Sequence, residues 1–240
     1  MEKQAPLAFN NYYHIYNRAN GSDNLFLDNS DYIRFLQFHE KYIPPIADTY
    51  AWALLPNHFH LLVRIKGEGV YKYAKEDIKK LNADRAAGTA TVMFKDVKWE
   101  TIPVDSLVND DMRQGKRKRA DPIRHFSHLC NAYARYVNHK YNRHGSLFQR
   151  PIKRKLILSK RYKQNTLLYI HHNPVNHKFV RHIIDYPWSS FHDFLSFKQM
   201  TQQKQNVLDW FGGLDRFMEV HDHYFPSPEM KLELGLDGMR

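Results

Sequence analysis

Residues 51–66, AWALLPNHFHLLVRIK, constrain the fold of this chain more than any other stretch. Apolar residues run through it and Pro56-Asn57 interrupts it, which predicts a short hairpin between strands at 46–55 and 59–65. Side chains alternate between the faces of a strand, so His58 and His60 point one way while Phe59 and Leu61 point the other. Two neutral imidazoles side by side make half of a coordination shell for a divalent first-row metal. The plainer alternative is two histidines on the wet face of a half-exposed strand. The difference depends on whether the chain supplies the other half of a shell.

Before the hairpin, Tyr12 to Arg18 reads as a strand ended by the Asn20-Gly21 turn signal. A helix follows, with Asn29 or Ser30 as its cap, Tyr32, Phe35, Leu36 and Phe38 at helical spacing, and Pro44-Pro45 as its stop. The opening is therefore β-α-β-β. Residues 67–120 are the least regular, with a charged helical pattern at 70–87, a strand signal at 90–94, and then the basic run RQGKRKR at 113–119, which reads as a loop. From Pro122 to Tyr141 an apolar stripe of Ile123, Phe126, Leu129, Cys130, Tyr133 and Val137 predicts a helix with Cys130 in its packed face.

Residues 139–163 hold nine Lys or Arg and no Asp or Glu. A strand at 147–158, broken by Pro151, belongs at a sheet edge. Such an edge cannot pack away its charged heads, so it faces solvent or a polyanion. Phe148 and Gln149 lie inside the basic stretch, the interleaving of charge and aromatic rings expected in a groove for single-stranded nucleic acid. The expected phosphate and base contacts are Arg117, Arg119, Arg143, Phe148, Gln149, Arg150, Lys153, Arg154 and Lys155. A helix at 161–173 follows, stopped by Pro174, in which Tyr169 and Asn173 share a face with His172 close to it. The tail, residues 186–240, reads as helices packed over the domain, without chemistry of its own.

Composition narrows the partners. The 36 Lys and Arg exceed the 25 Asp and Glu to give a net charge of +11, which favours a polyanion. A single cysteine, Cys130, excludes an intrachain disulfide and a cysteine-based zinc cluster, and a reducing cytoplasm suits it. No run of eighteen apolar residues and no secretion signal stands in the sequence, so no membrane role is expected. Neither nucleotide-binding glycine fingerprint is present, which predicts chemistry without ATP or NAD.

Four segments together carry a resemblance: LPNHFHLLV at 55–63, GSLFQ at 145–149 followed by the basic strand, YIHHNPV at 169–175, and PWSSF at 187–191. In their order and rough spacing they resemble the HUH-superfamily single-tyrosine transposases, and among them the REP-associated tyrosine transposases. The resemblance implies an α+β, ferredoxin-like β-α-β-β-α-β core with an antiparallel sheet. It implies a catalytic domain over 1–185 with an insertion at about 67–121, followed by the helical extension 186–240. It also implies that His58 and His60 are a metal-binding pair for Mg²⁺ or Mn²⁺, Asn173 a third ligand, and Tyr169 a nucleophile. The implied substrate is single-stranded DNA with hairpin structure, cut and rejoined through a 5′-phosphotyrosine, by a protein that is a monomer or a dimer. The chain departs from the family at Asn176-His177-Lys178, where Arg or Lys followed by Ala-Gly is usual, and in its long insertion. Two other readings stay open, a non-catalytic module for structured DNA and a metal hydrolase in which Tyr169 is incidental.

Overall fold

The computed structural model describes residues 6–67, 69–73, 99–103, 117–119, 121–196 and 200–226, and of 69–119 it describes only the backbone. Four strands form one antiparallel sheet: β1 (Tyr12–Arg18), β2 (Ala47–Leu55), β3 (His58–Ile65) and, after the insertion, β7 (Lys153–Ile157). Their order across the sheet is β2-β3-β1-β7, which puts β3 and β1 in the middle and the basic β7 on an edge. With α1 (Asn29–Tyr42) between β1 and β2 and α2 (Pro122–Lys140) before β7, this is the expected ferredoxin-like β-α-β-β-α-β core. Helices α3 (Lys160–Asn176), α4 (Phe191–Leu195), α5 (Gln202–Phe211) and α6 (Leu214–Asp222) follow it. Among the described residues no helix is long and apolar enough to cross a membrane.

The sheet separates two apolar layers. Toward α1 and α2, strand β3 sends Phe59, Leu61, Val63 and Ile65, and β1 sends Tyr13 and Ile15, to meet Phe35, Phe126, Leu129 and Tyr133. On the opposite face Ala51, Ala53 and Leu55 of β2 and Leu62 of β3 meet Leu167, Leu168 and Ile170 of α3, with Phe191, Val207 and Phe217 of the tail closing the layer. The outer strand β2 is covered as well. Leu54 N–H donates to the Trp188 carbonyl and Ser190 N–H to that of Trp52, so the PWSSF segment runs along the open edge.

Several local expectations need correction. The cap of α1 is Asp28, in a capping box with Asp31, because its carboxylate accepts from the N–H groups of Ser30 and Asp31. The insertion begins with a strand, β4 (Gly69–Tyr73), where a helix was expected, and the rest of that pattern and the strand at 90–94 lie outside the described residues. Strand β4 pairs with β5 (Trp99–Pro103) and with β6 (Arg117–Arg119), so the end of the basic run is extended chain in a ladder rather than a loop. The strand expected over 147–158 is shorter, with only a single bridge between Phe148 and Ala19 before β7 begins at Lys153. Helix α3 continues through Pro174 to Asn176, and the carbonyls of Asn173 and Pro174 accept from His177 and Phe179 instead of being left open.

The ends of α1 and α2 are tied by one buried carboxylate. Asp31 accepts from Lys140 Nζ at 2.8 Å, from the Tyr141 hydroxyl at 2.7 Å and from Leu27 N–H at 2.8 Å. Burial pushes this carboxyl up, but Lys140, the Leu27 N–H and Tyr141 together hold it below its ordinary value. A carboxyl depressed on folding adds stability above its unfolded pKa of about 3.9, and that stability is lost as pH falls through the folded value. Asp31→Asn is therefore expected to cost roughly 2–3 kcal/mol at neutral pH, with the loss shrinking in denaturant melts run progressively below pH 4.

Candidate active site

Strand β3 carries the site and the Pro56-Asn57 turn sets where it starts. The Pro56 carbonyl accepts from Leu25 and Phe26 N–H, and the Asn57 carbonyl from Ala19 N–H, so the turn is held by the loop that follows β1. The strand then places His58 and His60 on the face toward α3, beside Arg18 and Tyr16, their partners across the β1 ladder. These four, with Asn57, Gln149, Lys153, His177 and Phe179, line a cavity of about 360 Å³. Among its described lining residues there is no Asp or Glu.

The tautomer of His58 follows from its hydrogen bonds. Both nitrogens of His58 face amide oxygens that only accept, and a neutral ring has one N–H to give; the shorter contact, 2.6 Å from Nδ1 to Asn57 Oδ1, takes it and leaves a lone pair on Nε2. That nitrogen is 3.1 Å from Asn173 Oδ1, another acceptor, and the buried Asn173 Nδ2 has no partner. His60 is fully buried, and its Nε2 also has no partner. Burial lowers His58 to about 4, with the Asn173 contact opposing, and lowers His60 well below its usual value, so both are neutral at pH 7.

Among the described residues no group of three His, Cys, Asp or Glu is placed to hold a metal ion. Two imidazoles and the Asn173 amide oxygen nevertheless fit a divalent ion. Two lone pairs facing each other at 3.1 Å repel until a cation joins them, and neighbouring ligands on bonds of about 2.1 Å lie roughly 3 Å apart.

Tyr169 is brought to the histidines from behind. Its ring meets His60 edge-on at 5.4 Å and His14 at 6.0 Å between centroids. It is only 3 % exposed and is not part of the cavity wall, so the tyrosine is buried and not open to the cavity. Burial pushes the phenol well above its ordinary range, and the Asn173 amide one turn on pulls it back. The tyrosine on the wall is Tyr16, whose ring stacks on His60 at 5.8 Å.

His172 does not belong to the site. It stacks on Tyr224 at 4.3 Å, on the tail side of α3. Its neighbour His171 anchors the helix, in a chain whose proton directions are set by one carbonyl. The Phe217 carbonyl accepts from His221 Nδ1–H at 2.7 Å, so His221 Nε2 accepts from His171 Nδ1–H at 2.9 Å. Ser190 Oγ–H then donates to His171 Nε2 at 2.9 Å while accepting Trp52 N–H. The tail that was read as inert packing thus fixes the helix that carries Tyr169 and Asn173.

The basic residues separate. Lys153 and Lys155 pair with Tyr16 and His14 across the ladder and share the histidine face, while Arg154 pairs with Ile15 on the other. Arg150, Arg154 and Gln149 line a second, open groove of about 920 Å³ against α2. Arg143 is held by Asp23 and by Asn138 Oδ1 at 3.1 Å. Phe148 is buried against Phe59 and Tyr133, so the base-stacking role expected for it is withdrawn. Arg117 and Arg119 lie in β6, and their side chains lie outside the described residues. Four residues at the site, His14, Tyr16, Arg18 and His177, were not anticipated. Alternation along β1 put the first three on one face, but nothing local said that the face was that of His58.

No protein-family model matches the chain, and no curated protein matches it. Among solved structures, that of a REP-associated tyrosine transposase bound to a REP hairpin covers 84 % of this chain and 88 % of its own, at 14 % identity and a TM-score of 0.49. What the site can do follows from its own side chains. If the site takes Mn²⁺, replacing His58 or Asn173 by Ala should weaken that binding by at least the roughly tenfold to hundredfold seen on losing an outer-shell partner of a metal site. His172→Ala should leave it unchanged, with paramagnetic resonance of free Mn²⁺ as the readout.

Proposed function

We propose that this chain is a divalent-metal-dependent enzyme that cuts and rejoins single-stranded DNA beside a hairpin, through a 5′-phosphotyrosine at Tyr169. The supporting observation is a cavity whose described lining includes Arg18, Lys153 and three histidines and no Asp or Glu, with neutral His58 and His60 on its wall, Asn173 Oδ1 3.1 Å from His58 Nε2, and a tyrosine ring against His60. Three neutral ligands leave the charge of a divalent ion uncompensated, and a phosphodiester supplies the missing negative charge. His58, His60 and Asn173 would hold Mg²⁺ or Mn²⁺, with the mixed nitrogen and oxygen set suiting Mn²⁺ better. When bound, the ion polarises the phosphoryl oxygen and stabilises the departing sugar oxygen.

The chain's own residues do the rest. Lys153 and Arg18 line the cavity and are placed for phosphates flanking the cut. The Tyr169 oxygen bonds to phosphorus as the bond to the 3′ oxygen breaks, and the reverse attack by that 3′-hydroxyl rejoins the strand without ATP. In its resting position the phenol is protonated behind His60, so reaction requires the ring to turn toward the cavity when DNA and ion arrive. A reducing cytoplasm, which suits a chain with the single cysteine Cys130, is the compartment proposed for it.

A second reading has one observation in its favour. Tyr16, not Tyr169, stands on the cavity wall, and the same chemistry could start from its hydroxyl. Incubation of end-labelled hairpin DNA with Mg²⁺ or Mn²⁺, a denaturing gel, and peptide mapping of any adduct separate these readings. Tyr169→Phe should lose cleavage and adduct together, by more than about a thousandfold. An adduct mapped to Tyr16 supports the second reading, a clean cut without adduct a metal hydrolase, and binding without a cut a structured-DNA module.

Affinity tests the basic surface separately. If about five phosphates are neutralised, log K should fall with log salt at a slope near −3.5, and Arg150→Ala with Lys153→Ala should flatten it by about 1.4. An unchanged slope in fluorescence titrations would assign these two residues to ordinary solvated surface.

A further inference from the structure

His60 has one polar partner among the described residues, and it is a third histidine. His14 of β1 sits one step along the ladder from Tyr16, the strand partner of His60, on the same sheet face. Its Nε2 lies 2.9 Å from His60 Nδ1, and the rings stack at 27° with centroids 5.0 Å apart. His14 is 1 % exposed and its Nε2 is engaged by His60 Nδ1, so that nitrogen is not offered to a cation. Its other nitrogen, Nδ1, is buried without a partner. Burying such a group costs free energy that a phenylalanine in the same slot would not incur, so the imidazole needs a reason to be there.

The 2.9 Å contact admits two proton arrangements. In one, His14 Nε2–H donates, which forces the proton of His60 onto Nε2 and closes that nitrogen to any cation. In the other, His60 Nδ1–H donates to His14 and Nε2 keeps its lone pair. Ligating histidines characteristically give their second N–H to an acceptor that fixes both tautomer and ring angle. His58 does this with Asn57.

Resting on the metal-site reading above, we infer that His14 is the positioning residue of the site, accepting the Nδ1 proton of His60 so that His60 Nε2 is held as a metal ligand. His14→Phe keeps the ring and its packing but removes the acceptor. His14→Gln places an amide oxygen near the position of Nε2 and restores it. In Mn²⁺ titrations His14→Phe should bind roughly tenfold to a hundredfold more weakly than wild type, and His14→Gln should recover to within about threefold of wild type. Nitrogen-15 spectra of the histidine rings give a readout that packing alone would not move. With Mg²⁺ bound, wild-type His60 should be protonated on Nδ1, and this arm stands even if His14→Phe does not fold. Wild-type affinity in a folded His14→Phe overturns the inference while leaving the metal site in place, whereas His60 protonated on Nε2 in the ion-loaded wild type takes His60 out of the ligand set and overturns both. A wild type that takes up neither ion removes the site, and the inference with it.

Discussion

Strand β3 has no face in water, and the rest of the structure follows from that. Phe59, Leu61, Val63 and Ile65 fill one side and Leu62 the other, so the two histidines that alternate with them are buried too. A buried imidazole must place two nitrogens, each a donor or an acceptor, and a missing partner costs on the order of 1–3 kcal/mol. Asn57 and His14 take one nitrogen of each ring; His58 Nε2 meets only the acceptor Asn173 Oδ1, and His60 Nε2 has no partner. The unpartnered His60 Nε2, with His58 Nε2 and Asn173 Oδ1 facing each other, marks one unfilled position in this layer.

That position has meaning only if α3 is held in register with β3, because Asn173 and Tyr169 come from the helix and the histidines from the strand. The chain from Phe217 through His221, His171 and Ser190 to Trp52 does this. It joins α6, α3 and β2 by bonds whose direction is fixed at one end. Burial lowers His171 and His221, the first also feeling its neighbouring imidazoles, so the chain is uncharged at neutral pH. The sheet supplies the ligands, and the tail sets how the tyrosine helix approaches them.

The hairpin, the His58 and His60 face, the apolar stripe of α2 and the edge position of β7 were all legible in the sequence, because each rests on a short local period. The failures were where distant contacts decide. Asn29 and Ser30 are good caps, but Asp28 also reaches Lys140 of α2 and wins. Val70 to Tyr73 fits a helical pattern, but the backbone pairs it with strands 26 and more residues away. His172 is only three residues from Tyr169, yet that spacing turns it to Tyr224. Phe148 looked open beside its basic neighbours, but an isolated bridge to Ala19 puts its ring in the core. His14 could be placed on a face of β1, but its partner was invisible until the β1–β3 register was known.

The central claim is that His58, His60 and Asn173 form one divalent-metal site. Crystals soaked in Mn²⁺ and measured at the manganese absorption edge test it most directly. The account predicts one strong anomalous peak in contact with His58 Nε2, His60 Nε2 and Asn173 Oδ1, absent from crystals of His60→Ala. No peak there at saturating Mn²⁺, or a peak bonded instead to His171, His172 or His221, would contradict it.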